Sequence, residues 1–310
     1  MRIVLIGQQD FGKAVLEAFL ARGDEVAGVF CAPEKPGAKA DVLKTAAQEK
    51  GVALFQFQSL KSPEATAKMR ELNADIGIMA FVLQFAPQDF VAIPRHGTIQ
   101  YHPSLLPKYR GPSSINWPII RGDPKTGLTI FRPTDGLDEG PIILQKETPI
   151  APDDTLGSVY FERLFPLGVK AMLEAADLVV AGKHRETLQD ESQASYEGWC
   201  RKSEARLTWA NHVDFIYNTI RGCNPAPGAW STLAGQELQI FDARKHIVRT
   251  FGAVKGKIGE VVEVTDRSFQ VSAQGGRIEV LRAKLGEGKK VAAAELLSTG
   301  AIKAGMLLGA

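Results

Sequence analysis

Over its first 150 residues the chain alternates short apolar runs with segments whose apolar residues recur at helical spacing, an order that calls for a parallel sheet with helices packed on it. Residues 2–7 form the first apolar run, and Phe11, Val15, Leu16, Phe19 and Leu20 then fall on one helical face. Val26–Cys31 predicts a second strand, Ala40–Lys50 a second helix, and Ala74–Phe81 and Gly97–Tyr101 two further strands. Leu128–Arg132 and Ile142–Glu147 predict two strands joined by a Gly-rich loop, and Leu156–Leu178 is helical in period. The fold class expected is α/β, a Rossmann-like and mostly parallel sheet.

Past about residue 200 the pattern changes. Asn211–Arg221 predicts one more helix, after which Gln236–Phe241, Gly259–Val264, Ser268–Ser272 and Arg277–Leu281 are short strand candidates with Gly or Asp at their turns. That spacing predicts a small, OB-like β-barrel. At 310 residues the chain exceeds the usual single core. Two domains are therefore expected, residues 1–200 and 204–310, with the polar stretch Lys183–Arg206 as linker, since Gln189, Asp190, Glu191, Ser192 and Gln193 stand in a row there.

Composition removes several classes. Hydrophobic residues at 45% and charged residues at 23% exclude global disorder, and the dispersed 30 Gly and 17 Pro exclude a collagen-like repeat. No run approaches the length of a membrane span, and the N-terminus enters a strand without a cleavage site, so a cytoplasmic protein with no membrane partner is expected. The net charge of +2 does not advertise a polyanionic partner, although the stretch from Glu204 carries +4 against −2 for the first 203 residues. Cys31, Cys200 and Cys223 form no C-x-x-C pair and have no His at metal-ligand spacing, which argues against a disulfide framework and a zinc site.

Gly7-Gln8-Gln9-Asp10-Phe11-Gly12 sits where a nucleotide-binding loop would lie, but Gln9 occupies the second Gly position of G-x-G-x-x-G. No Gly-Lys-Ser/Thr follows either. The expectation is a tight strand-to-helix turn whose free N–H groups could hold an anion, and a dinucleotide dehydrogenase is disfavoured.

The informative segment runs from Gln100 through Tyr101-His102-Pro103-Ser104-Leu105-Leu106-Pro107 to Arg110-Gly111. His102 ends a predicted strand that Pro103 breaks, at the carboxyl edge where open α/β sheets bind ligands. Gln100 lies two residues earlier, so an amide and an imidazole face one space. Pro133-Thr134-Asp135-Gly136-Leu137-Asp138-Glu139-Gly140 is an acidic, Gly-rich loop that keeps an apolar Leu137 among its acids.

The run His102–Pro107, Arg110-Gly111 and the later Gly136-Leu137-Asp138-x-Gly140, with Asp138 placed 36 residues after His102, resembles the formyltransferases that use 10-formyltetrahydrofolate. The likeness also takes in Arg95-His96-Gly97, Ser114–Trp117, Leu144–Glu147, Pro152–Thr155 and Ser195–Gly198. It is greater to the hydrolase domain of 10-formyltetrahydrofolate dehydrogenase than to methionyl-tRNA formyltransferase, whose C-terminal barrel is also similar. The resemblance implies His102 and Asp138 as catalytic residues, 10-formyltetrahydrofolate as formyl donor and no metal. Family transferases carry an Asn two residues before the His, a third donor to the oxyanion. Gln100 stands there in this chain and keeps the amide with one extra methylene.

By the same resemblance the pterin is held by backbone of two loops, with Phe81, Val82, Leu83 and Phe85 on one side and Pro133, Thr134 and Asp135 on the other. Ser104 and Leu105 complete the folate set, and Ser104 and Arg110 also shape their own loop. Phe81 and Phe85, four apart, suit core packing equally well. The activity expected is enzymatic release of the formyl group to water, giving formate and tetrahydrofolate. Transfer to methionyl-tRNA or another amine is the alternative, and a folate- or RNA-binding module without catalysis is the reading from a different class. The loop Pro33–Ala40, with only two Lys, speaks against tRNA, as it is short where the tRNA enzyme carries a longer basic insertion. Lys289-Lys290 and Lys255–Lys257 are read as solvated surface. Ending at residue 310, the chain is not expected to oxidise the formyl group to CO₂ by itself.

Overall fold

The computed structural model describes residues 1–250 and 252–309, and the chain divides into two compact units. The first comprises Met1–Gly111, Gly127–Thr148 and Phe161–Tyr196; the second comprises Pro112–Thr126, Pro149–Tyr160 and the chain from Glu197 onward. Packing thus gives the second unit two segments from within the expected first domain. The reason is local: one of them carries α5 (Asn116–Arg121), which packs on α7 (Val213–Gly222), with Asn116 Nδ2 donating to Gly222 O at 2.9 Å.

Among the described residues the first unit holds a seven-stranded sheet in the order β3-β2-β1-β4-β5-β6-β7. The strands are β1 (Arg2–Gly7), β2 (Glu25–Phe30), β3 (Leu54–Phe55), β4 (Ile76–Ala80), β5 (Thr98–His102), β6 (Lys125–Phe131) and β7 (Ile142–Pro149). Pairing is parallel from β3 through β5, and β6 runs antiparallel to β5. Helices α1 (Gln9–Arg22), α2 (Val42–Glu49), α3 (Pro63–Glu71), α4 (Gln88–Val91) and α6 (Phe165–Val180) connect or cover the strands. The apolar runs of β1 and β4 are buried because helices close on both faces. On one, Val4, Ile6, Phe30, Leu60, Met69, Met79 and Phe90 form a single cluster, and elsewhere Phe11 stacks on Tyr101 at 4.3 Å with Phe165 edge-on at 5.4 Å. The helix read over Leu156–Leu178 begins instead as a π-helical turn, Ser158–Leu164, which leads into α6.

The second unit carries β8 (Ala229–Leu233), β9 (Gln236–Ile247), β10 (Val261–Val264), β11 (Phe269–Ala273), β12 (Gly276–Leu285), β13 (Val291–Ala292) and α8 (Ala293–Ser298). Its antiparallel sheet runs β10-β11-β12-β9-β8, with β13 on β12. The terminal stretch pairs with both outer strands: Leu307 bridges Glu260 beside β10 and Leu308 bridges Leu233 in β8. Those pairings answer the open N–H and C=O rows at the two edges and give the barrel closure expected of this region. Cys200 Sγ and Cys223 Sγ lie 3.8 Å apart in this unit as buried free thiols.

In the first glycine loop the leading helix N–H, expected from the sequence to be free, is already held by an anion of the chain itself. The Gln9 N–H at the start of α1 is taken by the Asp41 carboxylate at 2.9 and 3.1 Å, and the same Oδ1 caps α2 by accepting from Leu43 N at 2.8 Å. One carboxylate thus serves two helix N-termini. Gly7 is fixed by crowding, since a Cβ there would lie 2.3 Å from Ala80 O across the β1–β4 pair.

Asp41 is itself placed by Glu34, whose Oε1 accepts from Asp41 N at 3.0 Å while Oε2 meets Lys44 Nζ at 3.0 Å and Gln56 Nε2 at 3.2 Å. The backbone N–H of Asp41 and the Lys44 ammonium hold the Glu34 carboxyl down at about 2, from an ordinary 4.5. A depressed carboxylate stabilises the fold fully above its unfolded value and loses that contribution as pH falls through the folded one. The stability gap between the protein and Glu34→Gln should therefore be widest above pH ~4.5 and close toward pH ~2. Urea midpoints across that range test this, and a gap independent of pH would refute it.

Candidate active site

β5 carries both upstream site residues. Gln100 pairs with Met79 of β4 and Phe131 of β6, and His102 pairs with Thr129 of β6. Pro103 then ends the strand, and the loop 103–111 that follows is largely buried, with Ser104, Leu106, Tyr109 and Arg110 all inside. Without a ladder, a buried loop must find other partners for its backbone. Thr129 Oγ1 donates to Ser104 O at 2.7 Å and accepts from Leu106 N at 3.1 Å and Gln145 Nε2 at 2.9 Å, which uses the full capacity of a hydroxyl. Gln145 Nε2 also donates to Leu106 O at 2.8 Å. Ser195 closes the far end: its N donates to Pro107 O at 3.1 Å, its Oγ accepts from Tyr109 N at 2.8 Å, and its O accepts from Arg110 N at 2.9 Å.

The structure brings His102 and Asp138 together. They are 5% and 7% exposed, and His102 Nδ1 lies 3.5 Å from Asp138 Oδ2. His102 Nε2 is 2.8 Å from Tyr109 O. A carbonyl can only accept, so this contact assigns the proton of the neutral ring to Nε2 and leaves the Nδ1 lone pair facing the carboxylate. Asp138 Oδ2 accepts from Gly111 N at 2.9 Å, which ties the acidic loop to the end of the His102 loop. Gly140 is required in that loop because a Cβ there would lie 1.6 Å from Arg132 O. Arg110, buried beside the pair, donates to Glu191 at 2.6 and 3.0 Å. These bonds raise the guanidinium pKa and lower that of the Glu191 carboxyl.

Gln100 is partly buried, and its side-chain amide makes no hydrogen bond among the described residues. The two loops expected to hold a ligand are joined through Gln88, whose N donates to Asp135 Oδ1 at 3.2 Å and whose Nε2 donates to Pro133 O at 2.8 Å. Phe81 and Phe85 are 40% and 48% exposed, so the core-packing alternative is set aside for both, while Val82 packs on the Phe30 cluster. Leu83 and Leu137 are 55% and 52% exposed. Exposed apolar side chains on two adjacent loops suit a flat heteroaromatic ligand. Thr134 is half-buried with its hydroxyl turned to Gly136 O at 3.5 Å, and Leu105 packs over Gly127. Ser104 is fully buried and its hydroxyl donates to Lys108 O at 2.7 Å, which is the loop-shaping role. No group of three or more His, Cys, Asp or Glu among the described residues is placed to hold a metal, and no described helix is long and apolar enough to cross a membrane.

Sequence reasoning gave no role in the site to Thr129, Gln145, Gln88, Gln189 or Ser195, although Gln145 and Ser195 stand in stretches that carry the resemblance. Thr129 could have been found as the polar residue inside the apolar run Leu128–Phe131. Gln189 and Ser195 lay in the stretch taken as a linker. Residues 183–196 instead belong to the first unit, where Thr187 exchanges both backbone hydrogen bonds with Ile142 at 2.8 and 2.9 Å.

Residues 1–176 match the formyl transferase family model and residues 200–300 the formyl transferase C-terminal domain model. The chain belongs to the formyl transferase family. It is 43% identical over 248 residues to cytosolic 10-formyltetrahydrofolate dehydrogenase of Mus musculus, matching 78% of this chain but only 27% of that protein. It is 33% identical to methionyl-tRNA formyltransferase of Syntrophus aciditrophicus (strain SB), over 99% of this chain and 98% of that enzyme. In fold it is similar to the crystal structure of HypX from Aquifex aeolicus in complex with tetrahydrofolic acid, with a TM-score of 0.67 at 20% identity over 96% of this chain and 47% of that one.

Thr129→Val keeps the shape of the side chain but strands Leu106 N and Ser104 O. It should cost about 1–3 kcal/mol in urea unfolding and speed amide exchange at Leu106. Unchanged stability and exchange would show that the hydroxyl does not hold the loop.

Proposed function

We propose that this chain uses 10-formyltetrahydrofolate as formyl donor and releases the formyl group to water. The observation that carries the proposal is the buried His102–Asp138 pair with the imidazole Nδ1 open toward the carboxylate. The 43% identity to a 10-formyltetrahydrofolate dehydrogenase supports it further. We assign catalysis and folate binding to residues 1–200 and the barrel to 204–310. The folate lies along Phe81, Val82, Leu83 and Phe85, against Pro133, Thr134 and Asp135, while Ser104 and Leu105, first expected in the folate set, support it by shaping the loop after β5. A cytoplasmic location fits the cytosolic relative.

Water adds to the formyl carbon, and the proton it loses goes to His102 Nδ1, where the imidazolium faces the Asp138 carboxylate. The addition leaves a tetrahedral carbon with an oxyanion, which the Gln100 amide N–H stabilises. Collapse breaks the bond from carbon to N10, and His102 returns its proton to that nitrogen. The products are tetrahydrofolate and formic acid, which ionises to formate by releasing its remaining acidic proton to solvent. His102 ends the cycle neutral, with its Nε2–H still donated to Tyr109 O. The ring therefore works as base and acid without turning.

A second reading, formylation of methionyl-tRNA, draws on the match to methionyl-tRNA formyltransferase along almost the whole of both chains. Tetrahydrofolate release from 10-formyltetrahydrofolate by purified protein, without an amine and then with initiator methionyl-tRNA, separates the two. Release without acceptor is expected, reduced by about 10²–10⁴-fold in His102→Ala. Release only on addition of tRNA would transfer the assignment to the second reading, and silence in both arms would overturn both.

A further inference from the structure

The segment that follows α6 lies across both catalytic loops, and one side chain in it touches both. Gln189 Nε2 donates to Asp138 O at 2.7 Å and to Gly140 O at 2.8 Å. Its Oε1 accepts from Arg110 Nη2 at 2.8 Å and Nε at 3.2 Å. Both amide protons and both lone-pair directions of the oxygen are thereby used. The arrangement joins the loop after β6 to the loop after β5 at the two residues that matter to each, Asp138 and the neighbour of Gly111.

Asp138 needs such a restraint. Its φ is 56°, in the left-handed region that a non-glycine residue occupies only when its surroundings hold it there. The backbone angle decides where its carboxylate points, and the carbonyl that Gln189 captures is the one the angle turns. On the other side, Gly111 N–H holds Asp138 Oδ2 at 2.9 Å, and Gly111 follows the Arg110 that Gln189 also grips. Carbonyl and carboxylate of Asp138 are thus fixed to the same two-residue stretch, Arg110-Gly111, by independent bonds. The ion pair of Arg110 with Glu191 ends on a side chain 68% exposed, where solvent screens it. The bridging amide is the less replaceable of the two.

We infer that Gln189 is a positioning residue for the reaction: it sets the approach of the Asp138 carboxylate to His102 Nδ1 while touching neither the imidazole nor the carboxylate. The inference rests on the proposed role of the His102–Asp138 pair. A residue that only fastened its segment to the fold would lower stability and leave His102 unaffected.

Two variants and two readouts test it. Gln189→Met matches the length of the side chain without charge and removes donor and acceptor together; Gln189→Asn keeps an amide one methylene too short to span the loops. In the full chain, kcat for tetrahydrofolate release should fall about tenfold or more in Gln189→Met, with KM for 10-formyltetrahydrofolate little changed, and less steeply in Gln189→Asn. The His102 titration midpoint, read by NMR of labelled histidine, should move in Gln189→Met in the direction it moves in Asp138→Asn. Should Gln189→Met fail to fold, Gln189→Asn carries both readouts. Unaltered kcat together with an unmoved midpoint, while Asp138→Asn moves it, would overturn the inference. If the unsubstituted protein releases no tetrahydrofolate, the proposed reaction fails, and the midpoint alone decides whether Gln189 places Asp138 against His102.

Discussion

The site depends on a buried loop that has no strand beside it. When Pro103 ends β5, the backbone of residues 104–111 stays inside the protein, and each polar group left there without a partner would cost on the order of 1–3 kcal/mol. Three side chains drawn from distant parts of the chain meet that demand: Thr129 and Gln145 near the start, Ser195 at the end. Their bonds also set where Tyr109 O and Gly111 N lie, and those two groups hold His102 Nε2 and Asp138 Oδ2. Satisfying the loop and bringing His102 and Asp138 together are consequently one structural event. A change that loosens the loop acts on the His102–Asp138 pair through the same bonds.

This explains which parts were legible in the sequence. Strands β1 and β4 are continuous apolar runs, because they are buried on both faces, and runs of that kind are visible without knowing their neighbours. His102 and Asp138 were legible through a motif, whereas the left-handed backbone of Asp138, set between Leu137 and Glu139, was not. Contacts made across long separations were not legible. Gln189 reaches Asp138 from 51 residues away, and Asp41 caps α1 across 32 residues from Gln9. Gln189 through Gln193 read as a solvated linker because polarity in sequence does not tell a side chain facing water from one facing a buried carbonyl. The two-residue strands β3 and β13 carry no period, and the barrel is closed by a terminal stretch with pairs on two strands at once.

The position of Gln100 gains its meaning from the same constraint. Neighbours in β4 and β6 pair with its backbone on either side, so the side chain is the part of Gln100 left free to act. Its residue type alone would leave two readings, a structural amide or a donor to a reacting oxygen. A structural amide in this fold is tied to backbone carbonyls, as Gln145 and Gln189 both are, and Gln100 shows no such bond among the described residues. His102 has the opposite character. Its Nε2 is committed to Tyr109 O, which leaves Nδ1 as the ring atom open to take a proton. Two polar side chains two residues apart on one strand are thus left with one uncommitted function each, a donor and an acceptor. Addition of a nucleophile to a carbonyl demands that pair of functions, since one group must receive the proton of the nucleophile while another stabilises the charge that forms on oxygen.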